Sequence, residues 1–254
     1  MQLTGRVIVV TGAGNGIGRA LCHRFARERP AAIAVTDIDR ASAERVARDV
    51  GGDAIVADVA REPDVQRLVR DVTGRYGRID LFCSNAGIAV HGGEESPNDD
   101  WQRCWEVNVM AHVYAARAAL PGLLQRGDGY FLHTVSAAGL LTHPYSATYA
   151  VTKHAALAFA EWLSIAYGDR GIKVSALCPQ GVKTDMLKRA EENTSRFLID
   201  GALEADAVAE LVVRGLERER FLILPHQEVA EYARRRAADP DRWLGGMRRS
   251  LRHS

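Results

Sequence analysis

Three side chains capable of proton transfer and hydrogen bonding lie in the stretch from residue 136 to residue 153. Ser136 carries a hydroxyl, Tyr149 a phenol and Lys153 an ammonium. The run ATYAVTKHAALAFAEWLSIAY has the length and apolar density of a buried helix, so Tyr149 and Lys153 project from one helical face. The sequence therefore predicts a phenol and an amine held one turn apart.

Such a pair can do acid–base chemistry if the pKa of the phenol falls. A free tyrosine titrates near pH ~10, and lowering its pKa by about two units takes roughly 2.7 kcal/mol. We expect the Lys153 ammonium to lower the pKa of Tyr149 by this route, while Ser136 hydrogen-bonds a substrate oxygen. Since Tyr-x-x-x-Lys pairs also occur on helices without any function, the rest of the chain must support this interpretation.

The composition favours one globular domain over residues 1–254. With 47% hydrophobic residues and no linker-like stretch, the chain can bury one large core. A net charge of +1 gives no reason to expect nucleic acid or an anionic membrane as partner. The start, MQLTGRVIVVTG, shows no charged leader with a cleavage site, which predicts a cytoplasmic protein. The four cysteines lack metal-binding spacing, so we expect reduced thiols and no metal.

A glycine cluster follows the first predicted strand. The strand, RVIVVT, is a continuous apolar run typical of a parallel sheet covered on both faces, and a helical pattern runs from about Ile17 to Arg29. A turn between a strand and a helix amino end suits phosphate binding, because free N–H groups and the helix dipole favour an anion. The glycines have the spacing Thr-Gly-x-x-x-Gly-x-Gly and not the commoner Gly-x-Gly-x-x-Gly.

With this loop the chain resembles the short-chain dehydrogenase/reductase family, over about residues 5–225. The triplet Asn85-Ala86-Gly87 and the Ser136, Tyr149, Lys153 set add to the resemblance. It implies a single-domain, Rossmann-like α/β fold with a doubly wound parallel sheet of about seven strands. It also implies hydride transfer with NAD or NADP. The predicted cofactor contacts are Gly12, Asn15, Gly16, Ile17, Gly18, Asp37, Ile38, Asp58, Val59, Asn85, Ala86, Gly87, Tyr149, Lys153, Pro179, Gly181, Val182 and Thr184.

Strand direction supports the same site independently. The glycine loop, Asp37, Asp58, Asn85, Ser136 and the Pro179 loop all fall at the carboxyl ends of predicted strands. Two of these strands, DAIVAD and GYFLHTVS, are predicted to end at Asp58 and Ser136. In an open doubly wound sheet these ends share one edge, where ligands bind at the topological switch point. Residues distant in sequence are therefore expected to form one site.

The choice of cofactor is predicted from the end of the second strand, AAIAVTD. A carboxylate at Asp37 can accept both hydroxyls of an adenosine ribose and would repel a 2′-phosphate. Ile38 and Asn15 supply no basic side chain for that phosphate. We therefore expect NAD rather than NADP, although Asp37 could instead cap the next helix.

The resemblance assigns three further roles. Asp58 and Val59 would contact the adenine, and Asn85 to Gly87 would let the backbone approach the cofactor. Asn108 lies inside an apolar helical segment, about residues 99–125, where an amide side chain needs a partner. In the family this residue distorts the helix and holds a water that links the active-site lysine to solvent, so we assign Asn108 to the catalytic set with Ser136, Tyr149 and Lys153.

The segment after the sixth strand, PQGVKTDM, keeps the family's Pro and Thr at 179 and 184 but has Gln180 in place of glycine. That change puts a polar side chain beside the nicotinamide pocket. Residues 185–202 are predicted to form a substrate flap, and residues 226–254 a helical extension with Trp243 and Met247 on one face. The candidate substrate residues are Ser136, Tyr149, His143, Gln180 and Met186, and the wider candidate lining also includes His91, Leu141, Cys178 and Leu187.

These features predict an NAD-dependent enzyme that interconverts a secondary alcohol and a ketone, with a hydrophobic substrate that is steroid-like, cyclic or aliphatic. Two long apolar segments, near 99–125 and 147–167, predict a homo-oligomer, either a dimer or a homotetramer. One alternative is a non-catalytic nucleotide sensor or scaffold on the same fold, which would usually lack the serine, tyrosine or lysine. Another is an isomerising or dehydrating enzyme that uses NAD transiently, which would usually carry a larger substrate domain.

Overall fold

The computed structural model describes residues 1–190 and 199–251. The strands are β1 (Val7–Thr11), β2 (Ala32–Asp37), β3 (Asp53–Val56), β4 (Leu81–Ser84), β5 (Gly129–Thr134), β6 (Ile172–Leu177), β7 (Val182–Lys183), β8 (Leu203–Glu204) and β9 (Leu222–Ile223). The helices are α1 (Gly16–Ala26), α2 (Arg40–Val50), α3 (Glu62–Tyr76), α4 (Asn98–Trp105), α5 (Ala111–Arg126), α6 (Ala138–Leu141), α7 (Ala147–Tyr167), α8 (Asp185–Ala190), α9 (Ala205–Glu217), α10 (Glu228–Ala238) and α11 (Pro240–Leu251). A π-helix, Glu106–Met110, joins α4 to α5, and a short 3₁₀ helix, Gly168–Arg170, follows α7.

In the part of the chain that the structure describes, seven strands form one sheet in the order β3-β2-β1-β4-β5-β6-β9. All neighbouring strands are parallel. The strand order reverses between β1 and β4, so the carboxyl ends of these two strands flank the switch point. This is the doubly wound, Rossmann-like α/β fold predicted from the sequence. A separate two-stranded ladder pairs β7 with β8.

The core lies on both faces of the sheet, which explains the continuous apolar run of β1. Ile8 and Val10 pack into the layer formed with α1 and α9, whereas Val7 and Val9 pack into the layer formed with α3, α5 and α7. Successive side chains of a strand point to opposite faces, so a strand covered on both sides needs apolar residues at every position.

Several predicted boundaries differ from the observed ones. Helix α1 ends at Ala26 rather than near Arg29, whose φ of 52° lies in the left-handed region and cannot continue a helix. Strand β3 ends at Val56, because Asp58 turns the chain by donating its N–H to Asp64 and accepting that of Ala60. Strand β5 ends at Thr134, which leaves Ser136 in the loop beyond it.

The C-terminal extension forms two helices, as predicted. Tyr232 of α10 and Trp243 of α11 pack with their ring centroids 6.1 Å apart, next to Leu141 of α6. Of the predicted flap, 185–202, only α8 and residues 199–202 belong to the described part of the chain, and residues 191–198 and 252–254 lie outside it. Within residues 1–190 and 199–251, no helix combines the length and apolar character needed to cross a membrane.

Candidate active site

Ser136, Tyr149 and Lys153 meet at the carboxyl ends of β5 and β6. The hydroxyl of Ser146 caps α7 by accepting the N–H of Tyr149 over 3.2 Å, which fixes the first turn of the helix. The hydroxyl of Ser136 lies beside the phenol of Tyr149 and acts to lower its pKa. One turn later the buried ammonium of Lys153 lies 5.5 Å from the centre of the Tyr149 ring and donates to the carbonyl of Thr134 over 3.0 Å. The structure therefore brings the three predicted side chains together.

The electrostatics of the phenol differ from the prediction. Burial raises the pKa of Tyr149, and the nearby Ser136 hydroxyl opposes that rise without overcoming it. Burial likewise lowers the pKa of Lys153 to about 8. The expectation that Lys153 lowers the pKa of Tyr149 is therefore wrong for the protein by itself. The physical reason is that desolvation dominates, while the ammonium lies beside the ring and is bonded to Thr134.

Asn108 lies in the π-helix, so the predicted distortion of the long helical segment is present. Its side chain is fully buried and satisfied: Oδ1 accepts the N–H of Ile88 over 2.9 Å, and Nδ2 donates to the Ile88 carbonyl and to Thr152. A Cβ added to Gly87 would lie 3.3 Å from both Asn108 Oδ1 and Lys153 Nζ. The small residue at 87 thus lets the backbone pass close to both side chains.

The glycine loop is held between β1 and β4. Gly12 has a φ of 60°, and a Cβ on it would lie 2.8 Å from the Cα of Ala86, whereas a Cβ on Gly18 would overlap the carbonyl of Gly12. Asn85 ties neighbouring strands together: its Nδ2 donates to the Thr11 carbonyl over 2.9 Å, and its Oδ1 accepts the hydroxyl of Thr134.

The amino end of α1 is suited to an anion. Asn15 precedes the helix, and no side chain among the described residues hydrogen-bonds the end of α1, nor is any residue of its first turn acidic. Helices α2 and α7 are capped by Asp39 and Ser146. The N–H groups of Gly16, Ile17 and Gly18 are therefore the donors that a pyrophosphate would take.

Asp37 occupies the end of β2, beside this loop. One carboxylate oxygen accepts the N–H of Gly14 over 2.8 Å and the other accepts the N–H of Asp39 over 3.0 Å. Asp39, and not Asp37, caps α2. The alternative that Asp37 is simply the helix cap is therefore wrong, and its carboxylate retains acceptor capacity for ribose hydroxyls. Ile38 is exposed.

The adenine-side residues follow β3. Val59 is buried with 9% of its surface exposed, and Asp58 is half-buried with one carboxylate oxygen accepting the N–H of Ala60. These positions agree with a site at the carboxyl ends of β2 and β3. The contacts predicted for them remain a prediction.

The loop Pro179 to Thr184 joins the serine to the glycine loop. The Pro179 carbonyl accepts the N–H of Ala137 over 2.8 Å and the hydroxyl of Ser136 over 3.4 Å. At the other end of this loop, a Cβ on Gly16 would lie 3.1 Å from the methyl carbon of Thr184. Gly181 and Val182 lie between these contacts, and the Gly181 carbonyl accepts the N–H of Leu203 over 3.1 Å.

Of the candidate substrate residues, His143 packs against the ring of Tyr149. Its ring meets that of Tyr149 edge-on with centroids 6.1 Å apart, and burial followed by the nearby His91 lowers its pKa to about 4. Cys178 is fully buried, and burial raises the pKa of its thiol to about 12. Gln180 is half-buried in the loop, whereas Met186 lies at the surface of α8 with 40% of its area exposed.

Three nearby groups were missed by the sequence analysis. Arg45 of α2 donates to the Gly14 carbonyl over 3.4 Å and to Ser42. His112 and His133 form a fully buried pair with their Nδ1 atoms 2.9 Å apart. His226, beyond β9, hydrogen-bonds the N–H of Gln180. The position of Arg45 on the amphipathic helix after Asp37 was a usable signal, but the contacts of the histidines arise only from folding.

Comparisons with known proteins agree with this geometry. The model of the short chain dehydrogenase family matches residues 6–195. A 1-deoxy-11-beta-hydroxypentalenate dehydrogenase from Streptomyces exfoliatus is 37% identical, over 90% of this chain and 86% of its own length. The meso-2,3-butanediol dehydrogenase of Serratia marcescens is 32% identical, over 84% of this chain and 87% of its own length.

The fold matches solved structures of the same class. A short-chain dehydrogenase/reductase from Burkholderia phymatum, solved in complex with NAD, superposes with a TM-score of 0.86 and 28% identity, covering 95% of this chain and 96% of the other. The similarity to these proteins extends along most of the chain. The same chain has the sheet order, the glycine loop and the group of Ser136, Tyr149 and Lys153 described above. The protein belongs to the short-chain dehydrogenase/reductase family of oxidoreductases.

Proposed function

We propose that this protein is an NAD-dependent oxidoreductase that transfers a hydride between the cofactor and a secondary alcohol or ketone. The observation that carries the proposal is the meeting of the Tyr149 phenol, the Ser136 hydroxyl and the Lys153 ammonium at the sheet edge that also holds the glycine loop. The site thus combines a proton donor and acceptor with a hydroxyl that can orient a substrate oxygen.

The cofactor fits the residues present. The uncapped amino end of α1 would hold the pyrophosphate, with Gly12, Asn15, Gly16, Ile17 and Gly18 forming the loop. Asp37 would accept the ribose hydroxyls, with Ile38 beside it, and Asp58 and Val59 would contact the adenine. Ala86 and Gly87 would lie along the cofactor, and the Pro179 to Thr184 loop, with Gly181 and Val182, would contact the nicotinamide end. When bound, the cofactor supplies the hydride donor or acceptor.

The protein's own residues perform the proton chemistry. In alcohol oxidation, the phenolate of Tyr149 takes the hydroxyl proton of the substrate as the carbinol C–H bond breaks; in reduction the phenol returns it. Ser136 donates its hydroxyl hydrogen to the substrate oxygen and holds it within reach of Tyr149. Lys153, positively charged below its pKa of about 8, stabilises the phenolate and would also contact the nicotinamide ribose. Asn108 would hold the water that connects Lys153 to solvent.

NAD is proposed over NADP because Asp37 places a negative charge beside the ribose position. Its carboxylate is fixed by the N–H groups of Gly14 and Asp39, so it cannot turn away from a 2′-phosphate without losing both bonds. Arg45 provides a cation nearby, but it is hydrogen-bonded to the Gly14 carbonyl and Ser42. Both cofactors must therefore be compared directly.

The proposed substrate is a hydrophobic secondary alcohol or the corresponding ketone, cyclic, aliphatic or steroid-like. The ring of His143 packs edge-on against that of Tyr149, which supports an apolar substrate body, and the buried Leu141 is proposed as part of the same lining. Gln180, Met186 and Leu187 are proposed as further lining. Dehydrogenases named for hydroxypentalenate and for butanediol are among the relatives, which supports alcohol oxidation as the reaction.

A parallel screen tests this proposal against a non-catalytic nucleotide sensor. Secondary alcohols of increasing apolar size are incubated with NAD and with NADP, and formation of the reduced cofactor is followed. We expect turnover with NAD that improves as the apolar body grows. Binding of NAD without turnover of any alcohol or ketone would favour the sensor, and failure to bind either dinucleotide would contradict both functions.

A second copy of the chain is the proposed partner of the exposed apolar face of α7. Ile165 and Trp162 expose 84% and 54% of their surfaces, and Val151 on the same helix is also exposed. The homo-oligomer, dimer or tetramer, and the cytoplasmic location stay predictions. Gel filtration of the wild type and of the Ile165→Glu variant tests the interface: we expect a smaller species for the variant, whereas a monomeric wild type at micromolar concentration would contradict it.

A further inference from the structure

His226 lies between β9 and α10, with 5% of its surface exposed, and both ring nitrogens face main-chain groups. Its Nδ1 lies 3.1 Å from the N–H of Gln180, and its Nε2 lies 3.3 Å from the carbonyl of Gly201. Since a main-chain N–H can only donate, Nδ1 must be unprotonated, and the proton lies on Nε2, which donates to Gly201. The contacts thus define one neutral tautomer.

The two contacted residues occupy matching positions in the β7–β8 ladder. Val182 pairs with Leu203, so extending the register back by two residues pairs Gln180 with Gly201. The imidazole therefore bridges a main-chain donor and a main-chain acceptor on the two segments that pair as β7 and β8. The main-chain carbonyl of His226 accepts the N–H of Val229 over 3.2 Å, which anchors the residue to the start of α10.

The hydrogen bond from Gln180 to His226 is connected to the reacting groups through one residue, Pro179. Pro179, adjacent to Gln180, accepts hydrogen bonds from Ala137 and from the hydroxyl of Ser136. Further along the same loop, Thr184 packs against Gly16 of the glycine loop. A displaced Gln180 main chain would therefore shift both the acceptor of the catalytic serine and the segment expected to hold the nicotinamide end.

We propose that His226 is a positioning residue for the cofactor, which holds the Pro179 to Thr184 loop in its binding conformation through the Nδ1 lone pair. The proposal rests on the proposed function, in which this loop contacts the nicotinamide. An apolar side chain would fill the same buried space, but it would leave the Gln180 N–H without an acceptor. His226 acts through Gln180 and takes no part in proton or hydride transfer.

Substitution of His226 by asparagine or glutamine tests the hydrogen bonds of the two ring nitrogens separately. His226→Asn places a carbonyl oxygen near the position of Nδ1, so the bond from Gln180 is kept and that to Gly201 is lost. His226→Gln places an N–H donor near the position of Nε2, so the bond to Gly201 is kept and that from Gln180 is lost. His226→Leu removes both bonds at similar volume.

The first measurement is NADH affinity by fluorescence titration, which needs no turnover. We expect the dissociation constant to rise by about tenfold or more in the Gln and Leu variants and by less than about threefold in the Asn variant. Amide hydrogen exchange at Gln180, without cofactor, should be fast in the Gln and Leu variants and as slow in Asn as in the wild type.

If His226 only stabilised the fold, a different pattern of NADH affinities would be expected among the variants. If Asn and Gln weaken NADH binding equally, in step with their thermal midpoints, or if Gln and Leu leave affinity unchanged, the inference is wrong. If the His226→Leu variant does not fold, the comparison of His226→Asn with His226→Gln still tests the proposal. A wild type that binds no nicotinamide dinucleotide would overturn the proposed function instead, whereas equal binding by all variants overturns only the role of His226.

Discussion

The ammonium of Lys153 donates its hydrogen bond to the main-chain carbonyl of Thr134, over 3.0 Å, and not to the phenol one turn earlier. The helix that carries Tyr149 and Lys153 is thereby fastened to the tip of the neighbouring strand. The cation lies beside the phenol ring, 5.5 Å from its centre, where it can act on a phenolate through space.

The first prediction concerns the pH dependence of turnover. Burial raises the pKa of Tyr149 in the protein alone, and alcohol oxidation needs the deprotonated phenol. The phenolate fraction below that pKa grows tenfold per pH unit, so we expect kcat/KM for alcohol oxidation to rise with pH up to about 8, above which Lys153 loses the charge that stabilises the phenolate. Ketone reduction needs the protonated phenol and should not gain over that range. An oxidation rate that falls over this range would show that another group limits the reaction.

The second prediction concerns cofactor choice. Replacing Asp37 by Ser removes the charge that opposes a 2′-phosphate, so the ratio of kcat/KM for NAD to that for NADP should fall by about tenfold or more. Asp39→Asn is the matched control, because the Asp39 carboxylate caps α2 by accepting the N–H of Ser42 and makes no hydrogen bond to the glycine loop among the described residues. Steady-state kinetics with both cofactors give the ratio. An unchanged ratio in Asp37→Ser would remove Asp37 from the ribose site.

The third prediction concerns the glycine loop. A Cβ on Gly18 would overlap the Gly12 carbonyl and approach Asn85 Nδ2 at 2.6 Å, so Gly18→Ala must displace the loop. We expect loss of NADH binding and lower stability by about 1–3 kcal/mol. Gly74→Ala in α3 is the control, since no described atom lies within 4 Å of its new methyl group, and it should stabilise the helix by up to about 1 kcal/mol. Equal NADH affinity in both variants would contradict the close packing.

The fourth prediction concerns the buried pair His112 and His133. Burial lowers the pKa of His133 to about 3 and that of His112 well below its usual value, and His112 is also opposed by His133 and Lys153. Folded-state pKa values below the unfolded value of about 6.5 mean that stability is full above pH ~6.5 and is lost as the pH falls towards 3.

Protonation of His133 should therefore remove about 2 kcal/mol of unfolding free energy between pH 8 and pH 5, and His112 acts in the same direction. The variant His133→Leu should lose about 2 kcal/mol less than the wild type over this interval, whatever its stability at pH 8. Urea denaturation at the two pH values measures the difference. An identical loss in both proteins would mean that His133 is not held neutral by burial.

The sequence predicted those features of the fold and the site that depend on local sequence patterns. The run of apolar residues in β1 and the glycine spacing identified the sheet edge, and the four-residue spacing of Tyr149 and Lys153 placed them on one face. Features that depend on tertiary contacts were not accessible. The raised pKa of Tyr149 comes from burial, and the bridge made by His226 joins residues far apart in sequence, so neither is encoded in a local pattern.

The most direct test of the account compares wild type and Tyr149→Phe in NADH binding and in turnover, with Tyr167→Phe at the far end of the same helix as control. Removing the phenol oxygen leaves the cofactor contacts in place but removes the proton acceptor. We predict NADH affinity within about threefold of wild type and a loss of turnover of about 10²-fold to 10⁴-fold in Tyr149→Phe, with Tyr167→Phe unaffected. Turnover near the wild-type rate in Tyr149→Phe would contradict the account.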